Sequence, residues 1–176
     1  AQITAKTLRS EVDRYDWTSF STLWLNQYNA LRDFRDAELT AEAEEDFATQ
    51  GAAMIMQANI FYTLTMAYGD IPYSEAIQGV SEGNFTPAYD AQENILDGQG
   101  GLLDMLTQAN GLLDQASNNG QSVNGDIIYQ GNVENWKKLA NVLRLRILLH
   151  LSNKRDVSSD MQSIVNNASL FDSNSD

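Results

Sequence analysis

The segment Tyr68–Gly79, YGDIPYSEAIQG, follows a long helical pattern and contains Pro72, one of only two prolines in 176 residues. Gly69 fits the position directly after a helix, where a positive φ is needed. Pro72 has no N–H and cannot continue a helix. The segment therefore predicts a helix stop. The apolar residues that follow, beginning with Tyr73, predict a short packed segment that covers the helix end.

Two helices are predicted before this stop, because apolar residues recur at spacings of three and four. The first runs from about Trp17 to Ala37, and the second ends near Tyr68. Thr40 is the predicted N-cap of the second helix. The acidic residues that follow would then lie in its first turns, where the helix dipole favours negative charge. Four small residues of this helix would allow a neighbouring helix to approach closely: Ala48, Gly51, Ala52 and Ala58.

A third helical pattern follows Asp90 and is broken by glycines at 98, 100 and 101. Asp90 and Glu93 have the spacing of a capping box, with Asp90 as the N-cap. Each glycine inside a helix costs roughly 1 kcal/mol relative to alanine. We therefore expect a kink, or two shorter helices that meet at these glycines.

The last third of the chain predicts a helix capped by Asn132 that runs to Leu151, and a weaker helix from Ser158 to Ala168. The first of these is apolar on two faces and is therefore expected to be the most buried helix. No strand pattern is present. The predicted class is all-α, with two main helical hairpins and a short C-terminal helix.

Composition narrows the possible partners. Hydrophobic residues make up 43% of the chain, enough for a core, and the formal net charge is −13. Such a surface repels phosphate backbones, so no nucleic-acid partner is expected, and it disfavours docking on anionic membranes. The absence of cysteine excludes disulfides and thiolate metal sites. No apolar run approaches the roughly 20 residues that span a bilayer.

Three segments together resemble one family. They are YGDIPYSEAIQG at 68–79, TPAYDAQENI at 86–95 and DIIYQGNVENWKKLANVLRLRILLHL at 126–151. This ordered set is similar to the SusD/RagB family of outer-membrane lipoproteins from Bacteroidetes. The resemblance implies an α-helical fold with tetratricopeptide-like helical hairpins.

The resemblance also implies a function. Members sit on the cell surface through a lipidated N-terminal cysteine, bind glycans or in some cases peptides, and cap a SusC-like TonB-dependent transporter. They are binding proteins, and no enzyme activity or cofactor is expected. This chain lacks the lipidated cysteine and is far shorter than a full member. We therefore expect residues 1–176 to form one SusD-like helical domain of a larger protein, associated with the membrane only through an anchor outside this chain.

Candidate ligand-binding residues are Tyr15 and Trp17, an aromatic pair beside charged residues at the start of the first helix. Aromatic faces suit sugar rings, although Trp17 could equally begin the buried stripe. Trp24 and Trp136 lie within apolar stripes and are predicted to be core. His150, the single histidine, has no partner at metal-ligand spacing. The alternative reading is a helical-repeat adaptor that binds protein segments. A glycan hydrolase would need two convergent carboxylates, and no spacing proposes such a pair.

Overall fold

The computed structural model describes residues 21–173 as an all-α fold. Its helices are α1 (Ser21–Ala43), α2 (Phe47–Tyr68), α3 (Gln92–Asp97), α4 (Leu102–Asn119), α5 (Val133–Leu151) and α6 (Ser158–Asn167). Within this range, strand-like pairing is limited to one antiparallel bridge between Ile71 and Asp90. The predicted class is confirmed. None of the described helices combines the length and the apolar character needed to cross a membrane.

The helix α2 is the centre of the fold. It packs against α1 on one side and against α4 on the other, and α4 in turn packs against α5. The prediction that α5 would be the most buried helix is wrong, because α2 has 13 buried residues and α5 has eight. One face of α5 remains open to solvent, and Leu149 on it is 61% exposed. An apolar stripe becomes buried only where another helix covers it.

Small residues allow the close contact between α2 and α4, as the sequence predicts. A Cβ atom placed on Gly51 would lie 2.9 Å from Leu113 Cγ and 3.1 Å from the carbonyl oxygen of Ala109. These distances are shorter than ordinary van der Waals contact. Gly51 is therefore the point at which the backbones of the two helices approach each other.

The boundary between α1 and α2 differs from the sequence prediction. The hydroxyl of Thr40 donates to the carbonyl of Asp36 at 2.8 Å, so Thr40 lies inside α1 and is not an N-cap. Asp46 caps α2 instead, since its Oδ1 accepts from the N–H of Thr49 at 3.0 Å. The acidic residues before it lie in the last turn of α1 and in the connecting turn. The predicted start of the first helix, at Trp17, lies outside the described residues.

The glycine interruption predicted between residues 98 and 101 is confirmed, because α3 ends at Asp97 and α4 begins at Leu102. Gly100 has a φ of 72°, a conformation that favours glycine. The predicted cap of α5 is also confirmed, since Asn132 Oδ1 accepts from the N–H of Asn135 at 3.1 Å. The predicted C-terminal helix is present as α6.

Candidate functional site

The candidate site is built on the connecting segment, residues 69–91, which joins α2 to α3. Gly69 has a φ of 78°, as the predicted helix stop requires. Its N–H donates to the carbonyl of Thr65 at 2.8 Å, and the hydroxyl of Thr65 donates to the carbonyl of Gly69 at 2.7 Å. The chain therefore leaves α2 in a fixed direction.

Asp90 explains why a proline is tolerated at position 72. Its main chain pairs with Ile71, with N···O distances of 3.3 and 2.9 Å. Its carboxylate accepts from the N–H groups of Tyr73, at 3.0 Å, and of Ser74, at 2.8 Å. The N–H groups of Ile71, Tyr73 and Ser74 thus all donate to Asp90. Pro72 lies between them and has no N–H, so no donor is left unsatisfied there.

The capping box predicted for Asp90 and Glu93 is therefore wrong. No side chain bonds to the α3 N-terminus from its N-cap position, Ala91. The N–H of Gln92 donates to Asp70 Oδ1 at 2.9 Å instead. The carboxylate of Asp90 accepts instead from the N–H groups of Tyr73 and Ser74, at the start of the connecting segment. Local spacing does not reveal this contact.

A second carboxylate holds the outer part of the connecting segment. Glu75 Oε2 accepts from the side-chain amide of Asn84 at 3.0 Å and from the N–H of Ala88 at 2.9 Å. Two carboxylates thus tie the start of the segment to its end. Ordered loops of this kind position binding residues without a large entropy cost on binding.

An aromatic cleft of about 370 Å³ lies between α1 and the connecting segment. Its walls include Trp24, Tyr28, Pro72, Thr86, Pro87 and Tyr89. The Trp24 ring lies 4.9 Å from the Tyr28 ring and 5.1 Å from the Tyr68 ring. It also lies 6.4 Å from the Tyr89 ring, with only 20° between the two planes.

The polar groups of the cleft are fixed as well. The hydroxyl of Tyr28 donates to the carbonyl of Pro72 at 2.7 Å, which ties α1 to the connecting segment. Burial raises the pKa of Tyr28, so this phenol keeps its proton at neutral pH. Tyr89 is 66% exposed and offers its ring to solvent. A flat apolar wall with a few polar groups suits sugar rings, which have apolar C–H faces and hydroxyl edges.

The structure changes the assignment of several predicted residues. Trp136 is buried, as predicted. Trp24 is half-buried: it packs against the core and also lines the cleft, so its prediction as a core residue is confirmed in part. The spacing of four residues between Trp24 and Tyr28 predicts that they share one helix face. It does not indicate a site, and nothing local indicates the contact with Tyr89.

The other candidate residues do not form a site in the described part of the chain. Tyr15 and Trp17 lie outside the described residues, so their role in ligand binding stays a prediction. His150 is exposed, with its ring 5.8 Å from that of Tyr62. Within residues 21–173, no group of three or more histidine, cysteine or acidic side chains could hold a metal ion.

Comparison with known families agrees with this architecture. The family model described as "Starch-binding associating with outer membrane" matches residues 1–176. The chain belongs to the SusD-like family. This family consists of binding proteins. No curated protein sequence matches the chain.

Solved structures of SusD homologues have the same fold. A SusD homologue from Bacteroides fragilis is 33% identical, with a TM-score of 0.78 over 97% of this chain and 36% of that one. A Bacteroides vulgatus protein assigned to the outer membrane and to nutrient binding is 38% identical, with a TM-score of 0.75 over 93% of this chain and 35% of that one.

A more distant chitin-binding SusD homologue from Flavobacterium johnsoniae shares the fold at 22% identity, with a TM-score of 0.68 over 82% of this chain and 30% of that one. The SusD-like chain thus spans about a third of the length of these relatives.

Proposed function

We propose that this SusD-like chain is the glycan-binding helical part of an outer-membrane nutrient-binding protein. In this proposal the aromatic cleft holds an oligosaccharide, which then passes to a SusC-like TonB-dependent transporter. The observation that carries the proposal is the near-parallel pair of rings formed by Trp24 of α1 and Tyr89 of the connecting segment, which two carboxylates hold in place. Family membership supports the ligand class and the outer-membrane location.

Binding without turnover is the activity that the geometry favours. Glycoside hydrolysis needs an acid and a second carboxylate facing the same bond across a cleft. Two carboxylates of the connecting segment, Glu75 and Asp90, already accept hydrogen bonds from protein donors. Their role is to shape the segment. We include surface exposure through a lipid anchor in the proposal, on the basis of the family resemblance.

Tyr89→Ala tests the proposal with little risk to the fold, because this ring is largely exposed. Trp24→Ala removes the opposite ring. Phe171→Ala is the matched aromatic control, since Phe171 contacts Tyr129 and Lys138 and not the cleft. Each variant is made in the full-length protein and titrated calorimetrically with maltoheptaose and chitohexaose.

We expect each cleft variant to weaken oligosaccharide binding by about 1–3 kcal/mol, as for aromatic anchors at interfaces. Phe171→Ala should leave the affinity unchanged. The double change Tyr15→Ala and Trp17→Ala tests the other predicted aromatic pair in the same titration. Equal affinity in the wild type and both cleft variants would refute the cleft as the binding site.

A further inference from the structure

A second and larger cavity adjoins the aromatic cleft. This groove has a volume of about 870 Å³, and its walls include Arg35, Gln57, Phe61, Tyr73, Gln99 and Met105. Ala76 and Ile77 line both cavities and form the ridge between them. The two cavities therefore lie side by side, with these two residues in common.

The floor of the groove contains a buried polar side chain. Gln57 is only 3% exposed. Its Nε2 donates to Glu38 Oε2 at 2.7 Å and to the carbonyl of Phe34 at 3.4 Å. Because both partners are acceptors, they set the orientation of the amide and leave Oε1 as the acceptor. Among the described residues, no group donates to this oxygen, and it is not one of the side-chain atoms that are both fully buried and unpaired. The oxygen is therefore open to a donor from the groove.

The groove carries charges of both signs, and its two arginines are paired. Arg35 Nη1 donates to both carboxylate oxygens of Glu38, each at 2.9 Å, and Arg32 pairs with Asp33 at 2.9 Å. Two arginines and three acidic residues line the groove, so neither sign dominates. An ionic ligand would gain little here. A neutral ligand that carries both donors and acceptors fits better.

One wall of the groove is aromatic. The rings of Phe61 and Tyr73 meet edge to face, with centroids 4.8 Å apart. The hydroxyl of Tyr73 donates to the carbonyl of Gly100 at 2.7 Å, and burial raises the pKa of this phenol. The wall therefore has an apolar surface, and its hydrogen bond fixes the orientation of the Tyr73 ring, against which a sugar ring can pack.

The ridge itself is strained. Ile77 has a φ of 64°, in the left-handed region that β-branched residues rarely adopt. Conformations of this kind persist only where the surrounding structure enforces them, and they concentrate at ligand-binding sites. The strained residue here is one that touches both cavities.

We propose that the groove is a second carbohydrate subsite, which holds further units of the sugar chain whose first units occupy the aromatic cleft. The inference rests on the proposed function. In this arrangement Gln57 Oε1 accepts from a sugar hydroxyl, and the half-buried Tyr73 ring, which packs on the buried Phe61, contacts a ring face. Long oligosaccharides then bind more tightly than disaccharides of the same linkage.

The test compares maltose with maltoheptaose, and chitobiose with chitohexaose, by calorimetry on the full-length protein. Gln57→Met keeps the side-chain length and removes the acceptor. Gln121→Met is the matched control, because Gln121 is also a tied amide but bonds to Phe47 and Glu45, away from the groove. The quantity measured is the ratio of the disaccharide Kd to the long-chain Kd, which general destabilisation does not change.

We expect Gln57→Met to lower this ratio about two- to tenfold, the range for one neutral hydrogen bond, with the disaccharide Kd unchanged. Gln121→Met should leave the ratio as in the wild type. A wild-type ratio of one, or equal ratios in the two variants, overturns the second subsite while the aromatic cleft stands. An affinity that is unchanged in both Tyr89→Ala and Trp24→Ala overturns the cleft and the shared site together, as does a failure of all four sugars to bind.

Discussion

Asp126→Asn is the most demanding test of how the segment before α5 is built. Asp126 Oδ2 accepts from the indole N–H of Trp136 at 2.8 Å and from the N–H of Gly131 at 3.0 Å. Its Oδ1 accepts from the N–H groups of Ile128, at 2.8 Å, and Tyr129, at 3.1 Å. The N–H of Tyr129 also donates to Oδ2, at 3.2 Å. Asparagine has one acceptor oxygen where aspartate has two. With that oxygen at the Oδ2 position only Ile128 loses its partner, whereas at the Oδ1 position both Trp136 and Gly131 do.

The size of the effect follows from burial. Trp136 is 3% exposed, and Gly131 is also buried. A buried donor without a partner costs about 1–3 kcal/mol. Ile128 is exposed, so water can replace the bond to its N–H. The amide therefore keeps its oxygen at the Oδ2 position, next to the two buried donors. We expect Asp126→Asn to lower the free energy of unfolding by about 1–3 kcal/mol, because the bond to Ile128 is lost and the remaining bonds go to a neutral acceptor instead of a charged one.

Urea unfolding followed by far-UV circular dichroism measures this change, because it does not rely on tryptophan fluorescence. Trp136→Phe removes the indole donor, so Asp126→Asn should cost less in that background than in the wild type. Asp104→Asn is the control, since that exposed carboxylate accepts from the N–H of Gly100 at the start of α4. A cost below about 1 kcal/mol for Asp126→Asn would refute the reasoning.

The same contacts predict a pH dependence. Burial raises the pKa of Asp126. The hydrogen bonds from Trp136, Ile128, Gly131 and Tyr129 lower it by a larger amount, so the net pKa lies below its ordinary value of 3.8. A carboxylate with a lowered folded-state pKa stabilises the fold above its unfolded-state pKa and loses that effect as the pH falls through the folded-state value. The stability difference between wild type and Asp126→Asn should therefore be constant from pH 7 to about pH 5 and shrink below about pH 4.

Three glycines give further predictions, all measured by chemical unfolding. Gly51→Ala should destabilise the protein because its Cβ would meet Leu113 and the Ala109 carbonyl. Gly111→Ala, at a helical position with no atom within 4 Å, should stabilise it by about 0.5–1 kcal/mol. A change of the same sign in both variants would contradict the close α2–α4 contact. Gly69→Val should cost about 1–2 kcal/mol through its positive φ alone, because open space surrounds that position, and an unchanged stability would show that the backbone there relaxes freely.

Local signals in the sequence determined where most helices begin and end. Gly69 supplies a positive φ, the glycines from 98 to 101 break a helix, and Asn132 bonds to a donor three residues away. In each case the physical cause lies within a few residues of the signal. Thr40 shows the limit of this reasoning: it has the chemistry of an N-cap, but α1 continues through it and Asp46 caps α2.

The family resemblance also came from the sequence, because it rests on three motifs in order. The arrangement of the helices did not. The apolar pattern of α5 is richer than that of α2 in leucine, yet α2 is the more buried helix because both α1 and α4 pack extensively against it. A pattern shows which face can be buried, and only the packing of the other elements shows whether it is.

The candidate site belongs to the tertiary structure. The bond from Tyr28 to Pro72 joins residues 44 apart, and Asp90 reaches Tyr73 across 17 residues. The Trp24 and Tyr89 rings lie together because these contacts hold the connecting segment against α1. A side chain at such a position has several possible partners at the level of the sequence, and the free energy of packing the whole domain selects among them. For this reason the sequence places Trp24 on the apolar face of a helix, whereas the fold brings it to the wall of a cleft.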